Sequence, residues 1–263
     1  MFCFIIVCRD RLYERELFLN HMNSMMCVCY PGLLYNFVFV KQCDNEVLNR
    51  GSMRNVGFMY MRSMYPLEYK NFTYIFHDID NVICDVSCID FKSVIGVVKH
   101  LYGFKRALGG IVVFNGVDFE NVGGYPNIWG WGYEDNLLRL KWLKMGGKID
   151  HSHFMKRGDP RVIEFNHYGE RSFNVEATVE NIEKYETDGI KNIKDLVYEV
   201  DDSERESRNA IMLNVTNFST LVPPPSSIIR DIPPLSFYKD LQRKFLNIRH
   251  KSMNGLMSKV MRG

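Results

Sequence analysis

The sequence predicts an α/β domain with a mostly parallel central sheet flanked by helices. Short, continuously apolar runs alternate with longer segments of helical periodicity between residues 2 and about 202. Acidic and turn-forming residues follow the apolar runs, and ligands of such sheets bind beyond the carboxyl ends of the strands. The composition is globular: 263 residues, 46% hydrophobic and 24% charged. A chain of that length buries a substantial core.

In chain order, the apolar run at 2–7 is read as a first buried strand. Residues 11–26 have helical character, and Phe37-Val38-Phe39-Val40 marks a second strand at 36–40. Residues 47–64 are read as a helix. Residues 72–76 form a third strand, running into His77-Asp78-Ile79-Asp80, and 110–114 a fourth. The segment 135–145 places Leu137, Leu138, Leu140, Trp142 and Leu143 on an apolar helix face, stopped by Gly146-Gly147. Residues 148–154 then alternate as a strand. The first 202 residues are taken as one domain and 203–236, with Pro223-Pro224-Pro225 and Pro233-Pro234, as a proline-rich linker. Residues 237–263 carry Lys239, Arg243, Lys244, Arg249, Lys251, Lys259 and Arg262 and are read as a basic helical extension. That helix either docks on the core or contacts a membrane surface or a protein partner.

The formal net charge of +2 gives no bulk attraction to nucleic acid. The apolar N-terminal run is too short for a membrane span and no basic segment precedes it. A cytoplasmic protein with reduced, mostly buried cysteines is therefore expected. The seven cysteines include Cys27-x-Cys29 and Cys84-x-x-x-Cys88, and neither spacing fits a usual structural zinc site.

Several groups carry chemistry. Asp78 and Asp80 are two apart after an apolar strand, an arrangement that suits a hard divalent cation or one metal contact and one sugar hydroxyl. His151 and His153 have the same spacing, and two imidazoles with a carboxylate suit Mn²⁺ or a similar cation. Arg9, Arg11 and Arg50 fall near strand ends, where they are either solvated or directed at an anion. The segment from Gly123 to Asp135 reads Gly-Gly-Tyr-Pro-Asn-Ile-Trp-Gly-Trp-Gly-Tyr-Glu-Asp. Its glycines permit close backbone approach, its tryptophans offer faces to a sugar, and a carboxylate beside them suits a general base. Alternatively, the aromatic residues plug the core, and Glu134 and Asp135 open a helix.

The Trp129–Asp135 segment resembles the signature of the β-1,4-galactosyltransferase family. Other motifs resemble that family in the same order: Ile6 to Arg11, Leu48-Asn49-Arg50-Gly51 with Asn55-Val56-Gly57-Phe58, His77-Asp78-Ile79-Asp80, Leu108-Gly109-Gly110, and Thr187 to Asn192 with Val197 to Val200. The resemblance spans about residues 2–200 and implies a GT-A fold, a UDP-sugar donor, a glycan acceptor and an inverting mechanism. It implies Asp135 as the catalytic base, Glu134 and Asp78 at the donor, and Trp131 over the diphosphate and acceptor. Arg9, Arg11 and Arg50 would contact UDP, and Asp80, His151 and His153 would hold Mn²⁺ or another divalent cation. The His-x-His pattern is similar to that of the branch that galactosylates xylose. Residues 156–171 would form a lid. Ala107 and Gly110 would border the donor sugar. Ala107 stands where galactose-using members usually carry tyrosine, which makes room for an N-acetyl group. The expected activity is transfer of a hexose, either galactose or an N-acetylhexosamine. The alternative is a protein of the same fold that binds UDP-sugar or glycan without catalysis.

Overall fold

The computed structural model describes residues 1–85, 87, 89–130, 132–165 and 184–225. Its strands are β1 (Phe2–Cys8), β2 (Tyr35–Gln42), β3 (Thr73–Asp78), β4 (Asn81–Ile83), β5 (Val97–Gly103), β6 (Ile111–Asn115), β7 (Lys148–Asp150), β8 (Met155–Lys156), β9 (Val162–Glu164), β10 (Lys194–Asp201) and β11 (Ala210–Ser219). Its main helices are α1 (Leu12–Cys29), α2 (Arg50–Met64), α3 (Gly116–Asn121) and α4 (Glu134–Lys144). The large sheet runs β10-β11-β2-β1-β3-β6-β5-β7, with β8 also paired to β5, and β4 and β9 form a separate pair. Parallel pairing links β11, β2, β1 and β3. β6 runs antiparallel between β3 and β5, which makes the sheet mixed but mostly parallel.

Alternation along β1 explains why its sequence is apolar throughout. Cys3 and Ile5 belong to one core with Val38, Val40, Met53, Val56 and Phe58. Phe2, Phe4 and Ile6 belong to a second core with Phe18, Leu19, Met22 and Met26 of α1. A strand covered by helices on both faces has no polar position to spare. α2 closes tightly on β1 because residue 57 is glycine; a Cβ there would overlap Ile5.

β11 changes the predicted domain boundary. It lies between β10 and β2, with Ile211, Leu213 and Val215 buried. The fold therefore continues well past residue 202, and the predicted linker at 203–236 contains a sheet strand. The charged stretch Asp201–Arg208 ends β10 and forms a short helix, Arg205–Arg208, that leads into β11. The predicted strand at 148–154 also ends early: β7 stops at Asp150, and residues 151–154 form a turn before β8. The helix predicted at 47–64 begins only at Arg50, where Asn49 caps it by accepting a hydrogen bond from the Ser52 backbone N–H at 2.9 Å. Cys3 and Cys8 are buried as expected, but Cys27, Cys43 and Cys84 are exposed. The basic segment 237–263 lies outside the described residues. No described helix is long and apolar enough to cross a membrane.

Candidate active site

Three element ends meet beyond the carboxyl edge of the central strands. β3 delivers Asp78 as its last residue, α2 begins with Arg50, and α4 begins with Glu134 and Asp135. Arg50 donates from Nη1 to Glu134 Oε1 at 2.6 Å and to Asp135 Oδ2 at 2.9 Å. Its Nη2 donates to both Asp78 oxygens, at 2.8 and 3.0 Å. Arg54, one helical turn later, donates to Asp135 Oδ1 at 2.7 Å and to Asp78 Oδ1 at 2.8 Å. Its guanidinium lies 4.6 Å from the Tyr125 ring centroid, and its side chain is only 1% exposed.

The two arginines set the charge of this cluster. Burial opposes ionisation of Asp78, but Arg50 and Arg54 outweigh it and hold the carboxyl at about 2. Glu134 goes the other way: burial and then the neighbouring Asp135 push it up to about 7. Among the described residues, its buried Oε2 has no hydrogen-bond partner. A carboxyl group that shares its cations with two other acids and has one oxygen unsatisfied is the member most readily protonated.

Backbone geometry fixes these side chains. Leu108 N–H donates to the Asp135 carbonyl at 2.9 Å, and Asp78 N–H donates to the Gly110 carbonyl at 3.0 Å. The Leu108-Gly109-Gly110 turn thus touches both acids. Residue 109 has to be glycine here, since a Cβ would overlap the Asp135 carboxylate. Ala107 is buried next to this turn. Behind it, Asn55 pairs with the Tyr125 backbone through both amide atoms, at 2.8 and 2.9 Å. Asn127 binds Asp188 through its backbone N–H at 2.6 Å and its side chain at 2.8 Å. Lys141 Nζ donates to the carbonyls of Gly124 and Asp188 at 2.9 and 2.8 Å. These buried, mutually satisfied groups anchor the glycine- and aromatic-rich segment.

Within that segment the two tryptophans part company. Trp129 is 1% exposed, stacks on Phe218 at 4.8 Å, and donates to Thr220 Oγ1 and the Val222 carbonyl. It is a core residue, as the plugging alternative held, and offers no face to a sugar. Trp131 lies outside the described residues, as does the lid segment from residue 166 onward.

The other candidates are more dispersed. Arg9 donates to the carbonyls of Gln42 and Glu46, at 3.2 and 2.7 Å, and pairs with Asp44, so its guanidinium braces the loop before α2. Arg11 lies 3.7 Å from Asp80. Among the described residues, no group of three or more His, Cys, Asp or Glu side chains is gathered to hold a metal, so Asp80, His151 and His153 are not yet a site. The expectation that both imidazoles share a strand face fails because 151–153 are in a turn. The donor chemistry nevertheless fits a divalent cation. Partial burial and then the neighbouring Asp78 raise Asp80, a penalty that a bound cation would relieve. His151 is also oriented by a group the sequence reading missed. Buried His100 faces the Tyr102 and Gly109 carbonyls with Nε2, both at 3.0 Å, which fixes the proton there. Its Nδ1 then accepts from His151 Nε2–H at 3.2 Å, leaving the His151 Nδ1 lone pair free.

Arg54 was missed as well. Its signal was its position four residues after Arg50, on the same helix face. Two arginines at that spacing read as a solvated stripe unless acids face them.

A mostly parallel sheet with an acidic site at its carboxyl edge is the architecture of a GT-A fold. The catalytic domain of Drosophila β1,4-galactosyltransferase 7, solved with xylobiose, matches with a TM-score of 0.62 at 19% identity, covering 82% of this chain and 93% of that one. A mutant of that Drosophila enzyme, in complex with manganese, UDP-Gal and xylobiose, matches with a TM-score of 0.64 at 18% identity and the same coverage. A family model described as the N-terminal domain of galactosyltransferase matches residues 90–168. β-1,4-galactosyltransferase 5 of Danio rerio is 26% identical over 217 residues, 78% of this chain and 51% of that protein. Xylosylprotein 4-beta-galactosyltransferase of Caenorhabditis elegans is 28% identical over 149 residues, 53% of this chain and 49% of that protein. The chain is similar to β-1,4-galactosyltransferases over these stretches, and it spans about half the length of these two curated relatives.

Proposed function

We propose that this protein is an inverting, metal-dependent hexosyltransferase that moves galactose or an N-acetylhexosamine from a UDP-sugar to a sugar hydroxyl. The observation that carries this reading is the convergence of Asp78, Glu134 and Asp135 on Arg50 and Arg54 at the strand ends. Asp135 takes the proton of the acceptor hydroxyl as that oxygen bonds to the anomeric carbon. The bond from that carbon to the UDP oxygen breaks, and UDP leaves with the electron pair. Arg50, with Arg11 nearby, is placed to meet the growing negative charge. Glu134 and Asp78 hold donor hydroxyls. A divalent cation held by Asp80, His151 and His153 would stabilise the departing diphosphate. Ala107, buried beside the glycine turn, leaves room for a C2 substituent on the donor. The relatives' names and the manganese complex of the Drosophila enzyme support the donor class and the metal. A cytoplasmic setting is part of the same proposal.

A second reading, a UDP-sugar or glycan binder without catalysis, is favoured by one feature: both Asp135 oxygens already accept hydrogen bonds from arginines. Asp135→Asn separates the two. UDP release from UDP-galactose with Mn²⁺ is expected to fall about a thousandfold in the variant while UDP affinity is kept. Unchanged turnover would remove Asp135 as the base, and a wild-type protein that binds UDP-galactose but never releases UDP would be the binder.

A further inference from the structure

Asp135 has both carboxylate oxygens occupied, Oδ1 by Arg54 and Oδ2 by Arg50. Each carboxylate oxygen keeps a second lone pair, so Asp135 can still accept a proton, but each guanidinium covers one side of the oxygen it bonds. The two arginines are not equivalent. Arg50 is 25% exposed, opens its helix, and is shared with Glu134 and Asp78. A donor diphosphate arriving at the same place offers it a more highly charged partner. Arg54 is 1% exposed and lies over the Tyr125 ring, deeper along α2. Its departure would leave a buried void and strip the last cation from two half-buried acids.

We propose that Arg54 is the positioning residue of the base: it keeps Oδ1 of Asp135 fixed and tied to Asp78, while Arg50 turns to the donor diphosphate and frees Oδ2 to take the proton. This inference rests on the reading of Asp135 as the base. Loss of Arg54 therefore misdirects the Asp135 carboxylate first and reaches donor binding only through Asp78, which Arg50 also holds.

The test compares Arg54→Met, Arg54→Lys and Asp135→Asn with the wild type. UDP release from UDP-galactose is followed with Mn²⁺, with xylobiose as acceptor and with water alone. UDP affinity is measured by calorimetry and folding by thermal melting. Arg54→Met is expected to lower kcat about a hundredfold, the scale of a small misplacement of a reacting group, with a far smaller change in KM for the donor and UDP affinity kept. Arg54→Lys is expected to recover part of kcat, since an ammonium keeps the charge but not the two-acid fork. A folded Arg54→Met enzyme with wild-type kcat overturns the proposal. So does a loss of kcat matched by equal losses in KM and UDP affinity, which would make Arg54 a donor ligand. If Arg54→Met does not fold, Arg54→Lys is judged by the same split. Asp135→Asn keeps the two readings apart. If it is as active as the wild type, the base reading falls and takes the role of Arg54 with it. If it is inactive while Arg54→Met is fully active, only the role of Arg54 falls.

Discussion

The site contains two polar centres in very different states of readiness. The carboxylate–arginine centre is closely joined: Asp78, Glu134 and Asp135 sit on the ends of β3 and α4, and guanidiniums from α2 meet them at 2.6–3.0 Å. The imidazole centre is not. His151 and His153 ride on a turn, His153 is exposed, and Asp80 is met by Asn81 Nδ2 at 3.1 Å and by Arg11 at 3.7 Å. Rigid elements with buried ends fix the reacting acids in advance, whereas the residues proposed for the metal sit on turns that a cation would still have to gather.

Removing the metal should have the largest effect. Chelation with EDTA is expected to abolish transfer, while the thermal melt stays that of the metal-free fold with its acid cluster intact. Transfer that persists without metal would break the comparison by showing the second centre to be dispensable. Next, Gly109→Ala should disturb the assembled centre alone, since its Cβ would overlap the Asp135 carboxylate. Steady-state assays are expected to show kcat reduced about a hundredfold, with manganese affinity by calorimetry at the wild-type value.

Smaller effects sharpen the contrast. His100→Phe removes the acceptor that orients His151 and should weaken manganese binding about tenfold, the usual scale for an outer partner of a metal ligand. Equal affinity in the variant would mean that the turn needs no such guide. A pH dependence is also expected in the assembled centre. Glu134 has its pKa raised to about 7 in the fold against an ordinary 4.5. Its contribution is thus fully present below about pH 4.5 and is lost as pH rises through about 7, because the unfolded chain ionises more easily. Glu134→Gln keeps the shape without the titration. Melting curves at pH 5 and pH 8 should show the wild type losing about 2 kcal/mol relative to the variant over that interval. Parallel curves would mean that Glu134 is charged throughout.

Much of this was legible in the sequence, and the exceptions have physical causes. The apolar runs located β1, β2, β3 and β6, because strands covered on both faces carry no alternation to confuse. α4 was found from its leucines and its Gly-Gly stop. Asp78, Glu134 and Asp135 were singled out from motif and spacing, and the structure brings them together. β11 was missed because the charged segment before it and the prolines after it suggested a linker, although Ile211, Leu213 and Val215 alternate as a half-covered strand would. Arg54 and His100 were missed because their meaning depends on what faces them. No spacing rule shows that a second arginine will find two acids, or that a histidine on β5 will meet a turn fifty residues later. Trp129 and Trp131 look equivalent as sequence, but only packing shows that Trp129 belongs to the core.

The position of β11 bears on how the chain comes to be folded at all. During synthesis β1, β2 and β3 leave the ribosome long before residues 210–219, and β2 is one of the strands they pair with. Until the last strand arrives, the apolar edge of β2 has no partner and offers its backbone to any other extended chain. A nascent chain stalled before residue 210, or a protein cut there to remove the supposed linker, would carry that open edge permanently. The consequence is an aggregation hazard rather than a shorter enzyme.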